Sequence, residues 1–377
     1  MCIRDSISTH WVGIRPSSYL LLPITQNVYG DKATTNAIIK YVENNINNLG
    51  NQFIDPKKRV FLAYIFLSIL IALLWFVYIK KINFKKAIKK IFDKKIFFSK
   101  SAKSDYKIFF INQFIMLLIS PLLITQITIA TALYFYFHSI DWLNQGMYSD
   151  LTPIIVIIFF TLFQFTIDDF SKYIIHNFMH KWPILWSLHK VHHSATVLTP
   201  MTVFRTHPLE GIIFSLRSSV TQAISISSFI FLFGNTVSLY TVLGVNIFVF
   251  IFNVLGSNLR HSHVGIQYWK WVEYIFISPA QHQLHHSIAK EHHDKNFGAA
   301  LAIWDWLFGS LHHSIDFETL ELGIKKNQQD ESHDLKTLYL NPFFEIKNYF
   351  IKYFNFLRKK FNLNLNKRSY SNEKKYN

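Results

Sequence analysis

The chain has 377 residues, half of them apolar and 17% aromatic, with 37 phenylalanines and a formal net charge of +16. That much apolar bulk exceeds what a soluble core needs and points to membrane segments. The basic excess lies beside apolar runs rather than in a soluble domain, which favours anionic lipid over nucleic acid as a partner, and the single cysteine, Cys2, excludes a disulfide framework, Cys-ligated zinc and a Cys-held iron–sulfur cluster.

Residues 1–58 read as a polar, Asn-rich extramembrane segment. The apolar run at 19–24 is broken by Pro23, and one helix is expected over 34–48. Residues 59–150 read as N-terminal transmembrane helices around a basic loop. The first span is residues 60–79, twenty uncharged positions. The loop 80–107 carries eleven lysines against Asp93 and Asp105, so it is expected on the cytoplasmic side. Residues 108–137 are uncharged but interrupted by Pro121, which predicts one kinked or tilted span, with a re-entrant pair as the alternative.

Residues 151–313 read as the next domain, which holds the histidine clusters. Residues 151–167 return to the cytoplasmic side, and their helix is expected to run past Asp168 and Asp169 to His176. Residues 211–233 and 236–256 are expected to form two more spans, with a turn at Gly234–Asn235 and Arg217 snorkelling to the cytoplasmic interface. Such a hairpin returns residues 261–286 to the side that holds His176. Residues 314–377 read as a cytosolic tail with an amphipathic helix, in which Phe343, Phe350, Phe354, Leu357 and Phe361 form a stripe. The fold class is therefore all-α, a polytopic membrane protein with four to five transmembrane helices.

The histidines carry the chemistry. His176 and His180 lie four apart on one helix face. In His189-x2-His192-His193 two rings share a face and the third diverges, and His282, His285 and His286 repeat that pattern. Neutral imidazole is the commonest metal ligand. With His261 and His263, eight to ten rings suit two metal ions. The HExxH motif of zinc proteases is absent, and imidazole alone leaves Fe, Cu, Zn and Ni open. Asp169, then Asp305 and Asn296, are the candidates to orient the rings.

The segments DDFSKYIIHNFMH, LWSLHKVHHS, FRTHPLE, SPAQHQLHHS and DKNFGAALAIWDWLFGS together resemble the fatty acid hydroxylase / sterol desaturase superfamily over roughly residues 155–313. The resemblance implies a membrane-embedded diiron oxygenase with a cytosolic helical cap holding a His-rich dimetal site. It implies two non-haem Fe ions, O2 as co-substrate, and hydroxylation or desaturation of a lipid. His176, His180, His189, His192, His193, His282, His285 and His286 carry over as ligands, with His261, or else His263, as the intervening one. No cytochrome b5-like HPGG segment is present, so the electron donor is a separate protein: cytochrome b5-like, a ferredoxin or a reductase. The alternative from another class is a divalent-metal transporter using the same histidines. It would want ionisable residues within the spans, where Arg217 stands alone.

Overall fold

The structure, a computed structural model, describes residues 50–119, 125–234, 237–324 and 333–373, together with Ile39, Lys40, Glu43 and Leu123. The features expected at 19–24 and 34–48 lie almost wholly outside these residues.

The described chain is mostly helical, and three of its helices are long and apolar enough to cross a membrane: Leu62–Ile79, Pro153–Lys181 and Pro208–Phe233. The first comprises α1 (Leu62–Leu74), which ends in a π-helical turn, Trp75–Ile79. Short helices α2 (Phe84–Ile91) and α3 (Lys94–Phe97) follow in the basic loop, each capped by the side chain before it, Asn83 and Asp93. The long apolar run 108–137 is divided between α4 (Lys100–Ile119) and α5 (Gln126–His138). Then come α6 (Pro153–Lys181), α7 (Pro183–His193) and α8 (Pro208–Phe233). α8 packs against both α5 and α6.

The run 236–256 departs from expectation. Among its described residues only eight are helical, α9 (Ile247–Val254), about 12 Å of helix and too short to cross alone. Before it, β1 (Thr241–Val242) and β2 (Val245–Asn246) pair as a hairpin. Its two turn residues, Leu243 (φ 52°) and Gly244 (φ 74°), take the left-handed conformation that a two-residue hairpin turn requires. The hairpin is held on α6: the Tyr240 backbone N donates to Thr161 Oγ1 (2.8 Å), and the Asn246 side chain donates through Nδ2 to the Thr161 carbonyl (3.2 Å). A backbone with partners on a neighbouring helix does not have to be helical at membrane depth.

Arg217 has partners on α6. Its guanidinium donates to Asp168 Oδ1 (2.8 Å) and Ser171 Oγ (2.5 Å), joining α8 to α6. Two short helices, α10 (Pro279–His285) and α11 (Ile303–Leu307), lie in the irregular region beyond α9, and α12 (Leu335–Glu373) closes the chain. α12 packs against α7 at its start, and its stripe residues Phe343, Phe350, Phe354 and Leu357 are exposed.

Candidate metal centre

At about 1.5 Å per residue α6 is about 44 Å long, against roughly 30 Å of hydrocarbon, so its last turns project beyond the apolar layer. His176 and His180 sit on those turns. Trp182 is extended (ψ 119°), as a residue before proline prefers, and Pro183 starts α7 with no lost hydrogen bond. The bend folds His189, His192 and His193 back over the end of α6. α10 opens with a reciprocal capping box between Ser278 and Gln281 and carries His282 and His285, with His286 at its C-terminal cap. His261 follows a single turn, Ser257–Leu259.

These segments bring nine histidines into two groups. His176, His180, His189, His193 and His285 form one; His192, His261, His282 and His286 form the other. Within each group the candidate ligand atoms all lie within 4.8 Å of one another. Nε2 of His261 lies 3.1 Å from Nε2 of His192 and 3.0 Å from Nε2 of His282, about the spacing of neighbouring ligands around an ion with metal–nitrogen bonds of ~2.1 Å. Nε2 of His180, His189, His193, His285 and His286 is buried with no hydrogen-bond partner. Converging, partnerless nitrogens would be costly in a plain protein core and are what a cation would satisfy. The donor set therefore fits a metal.

The far side of the first group fits too. Nδ1 of His176, His189 and His285 faces the Phe297 carbonyl (2.8 Å), Glu210 Oε1 (2.8 Å) and the Lys295 carbonyl (2.7 Å). These oxygens only accept, so each Nδ1 carries the ring proton and Nε2 presents its lone pair. In the second group the arrangement inverts. Arg59 Nη2 donates to Nδ1 of His261 (3.2 Å), and Arg260 Nη2 donates to Nδ1 of His282 (3.0 Å).

Burial holds the imidazoles of His192, His193, His261, His282 and His286 well below the ordinary histidine range, and that of His285 down to about 3. The rings are therefore neutral at physiological pH, the form that ligates.

Glu210 and Arg205 went unnoticed in the sequence although FRTHPLE contains both. Glu210, three residues after the N-cap His207, reads as an ordinary first-turn acid of α8, yet it is buried against His189. Arg205, wholly buried, donates to Asp105 Oδ1 (2.9 Å), Ser194 Oγ and the Val191 carbonyl, tying the end of α7 to α4. The expected orienting residues act one step further out. Asp169 accepts from Ala300 N, Leu301 N and Trp304 Nε1, not from a histidine. Asp305 accepts from Phe297 N and Gly298 N, which aims the Phe297 carbonyl at His176. A Cβ on Gly298 would lie 2.4 Å from the Leu301 carbonyl oxygen, so only glycine lets this loop close. Asn296 links α10 to His312 N.

His263 lies outside both groups, with Nε2 2.8 Å from the Lys90 carbonyl. His207 caps α8 through Leu209 N, and His292, His293, His312 and His313 also stand outside the groups.

The fold and site together define a membrane protein with two buried all-histidine groups at one end of its apolar helices. Residues 161–310 match the family model described as Fatty acid hydroxylase, and all nine clustered histidines fall inside that match. Through this segment the chain is similar to the fatty acid hydroxylase family. It is 31% identical over 153 residues to the alkylglycerol monooxygenase of Danio rerio, covering 38% of this chain and 28% of that protein. It is 24% identical over 159 residues to the ornithine lipid hydroxylase OlsE of Rhizobium tropici, 42% and 43% of the two chains. It is 27% identical over 197 residues to the Delta(7)-sterol 5(6)-desaturase of Eremothecium gossypii, 51% and 48% of the two. The chain thus spans less than half the length of each of these relatives. No solved structure matches it.

Proposed function

We propose that this chain is a membrane-bound, O2-dependent oxidoreductase that holds two non-haem iron ions and hydroxylates or desaturates a C–H bond of a lipid. One observation carries the reading: two buried histidine groups lie inside the segment that matches the fatty acid hydroxylase family. The names of the three relatives share oxidation of a lipid.

Iron bound there supplies O2 activation and oxidation of an unactivated C–H bond. The protein's own residues do the rest. His176, His180, His189, His193 and His285 would hold one ion, and His192, His261, His282 and His286 the other. Nδ1 of His176, His189 and His285 holds the ring proton towards a protein oxygen, so Nε2 of these three is ready to ligate without first losing a proton. Glu210 fixes the tautomer and orientation of His189. Arg205 holds the C-terminal end of α7, and with it His192 and His193. The apolar helices exclude water from the reacting carbon.

The histidine groups face the cytoplasm in this reading. Its support is the basic loop, tied to the same end of the molecule by the pairs Lys80–Asp316 and Lys90–Glu318. A separate electron donor, cytochrome b5-like, ferredoxin or reductase, docks on that face.

The test is the purified protein with a reductase, NADH and membrane lipid. The expected result is O2 consumption coupled to an oxidised lipid seen by mass spectrometry. Metal flux into liposomes without O2 use would replace this reading with transport.

A further inference from the structure

By length and composition Leu62–Ile79 can cross a bilayer: eighteen uncharged residues, about 27 Å. A crossing separates a helix's two ends by the thickness of the membrane. Here both ends are anchored on the same part of the molecule. At the N-terminal end Arg59 donates to the Ser257 carbonyl and to Nδ1 of His261, Asn258 Nδ2 donates to the Arg59 carbonyl (3.0 Å), and the Tyr64 ring meets Phe250. The helix therefore starts beside a histidine group.

At the C-terminal end Ala72 and Phe76 share a core with Ala87, Ile91, Leu259, Val264 and Ile266. Lys80 pairs with Asp316 (2.8 Å), and α2 folds back so that the Lys90 carbonyl meets Nε2 of His263. Residues 257–266 and 316 all belong to the histidine-bearing region.

The two faces of the helix differ. Tyr64, Ser68, Ala72 and Phe76, four apart, are buried. Leu62, Phe66, Leu70, Leu74 and Tyr78, also four apart, are each at least 41% exposed. An apolar stripe of that length does not face water. The flanks agree, because both are basic: Lys57, Lys58 and Arg59 on one side, Lys80, Lys81, Lys85 and Lys86 on the other. A crossing would place one basic flank on the wrong side, whereas two flanks on one side satisfy the charge rule together.

We infer that Leu62–Ile79 does not cross the membrane but lies along one leaflet, its Leu62–Tyr78 stripe in the acyl-chain boundary and both ends on the histidine side. Its partner is a phospholipid surface, with the exposed Lys81, Lys85 and Lys86 at headgroup level. The helix then acts as a float that holds Arg59, and through it His261, at a fixed depth. Topology follows from these contacts whether or not the histidines bind iron.

The test uses the full chain in sealed membrane vesicles, with Cys2→Ser as background and single substitutions Ile54→Cys, Lys86→Cys, Lys290→Cys and Asn144→Cys. All four positions are exposed. Lys290 reports the histidine side, and Asn144, between α5 and α6, reports the opposite one. An impermeant maleimide is expected to label the Ile54, Lys86 and Lys290 variants from one side and the Asn144 variant from the other. Labelling of the Ile54 variant together with the Asn144 variant would overturn the inference. Nitroxides on Phe66→Cys and Leu74→Cys are expected at one shallow depth, and a depth profile passing through the bilayer centre would also overturn it.

Discussion

Glu210 offers the sharpest test of how this site is built. Its Oε1 lies 2.8 Å from Nδ1 of His189, both residues are buried, and its Oε2 has no hydrogen-bond partner. A buried carboxylate with so little compensation is expensive, and the positive charge of an ion held by the five-histidine group would make it tolerable. Glu210→Gln keeps a carbonyl oxygen in place to accept from Nδ1 but removes the charge. Losing such a carboxylate behind a ligating histidine typically weakens metal binding about 10–100-fold, or about 1.4–2.7 kcal/mol. The assay is competitive titration of metal-free protein with iron(II) or cobalt(II) against a chelator. The expected result is weaker binding in that range with an unchanged fold by circular dichroism. Affinity equal to that of the wild type would refute the idea that Glu210 supports a metal through His189.

Three further outcomes follow from the geometry. His261→Ala should lose about one metal ion per chain, whereas His263→Ala, whose ring meets the Lys90 carbonyl, should keep both; metal analysis of the two purified variants distinguishes them. In the metal-free protein, burial lowers His285 to about 3 against about 6.5 in an unfolded chain. Folded protein then binds fewer protons than unfolded between those values, so this ring's contribution is complete above pH 6.5 and is lost as pH falls. Between pH 7 and 5 the loss is about 2 kcal/mol, and thermal melts of metal-free protein that are flat over that range would contradict it. Arg260→Gln removes a buried cation from behind His282 and should tighten binding in the four-histidine group by about tenfold, read as a shift in only one of two titration steps.

How much of this was legible along the chain depended on how local each signal is. The spacing of His176 and His180, and of the two HxxHH runs, is a property of one helical turn, so the sequence alone groups them. Which ring joins which group is not local. His192 and His193 are neighbours, yet a difference of about 100° around α7 sends them to different groups. Glu210 sits where a first-turn acid is expected for capping, and only the packing of α8 on α7 turns it towards His189. The run 236–256 is apolar enough for a span, and the hairpin it forms instead has partners on Thr161 of α6, far away in sequence. Arg217 likewise found Asp168 across a helix interface. Asp169 lies on the histidine face of α6 and so reads as a residue that orients a ring, but its partners are the amides of residues 300 and 301 and the Trp304 indole, which only the fold brings near.

The account stands on two clusters of imidazole each binding a metal ion. Quantifying iron in the purified, reconstituted protein, together with X-ray absorption at the iron edge, tests this most directly. About two irons per chain in a shell dominated by nitrogen ligands near 2.1 Å is the predicted result. One iron or none after reconstitution, or a shell dominated by oxygen, would contradict it.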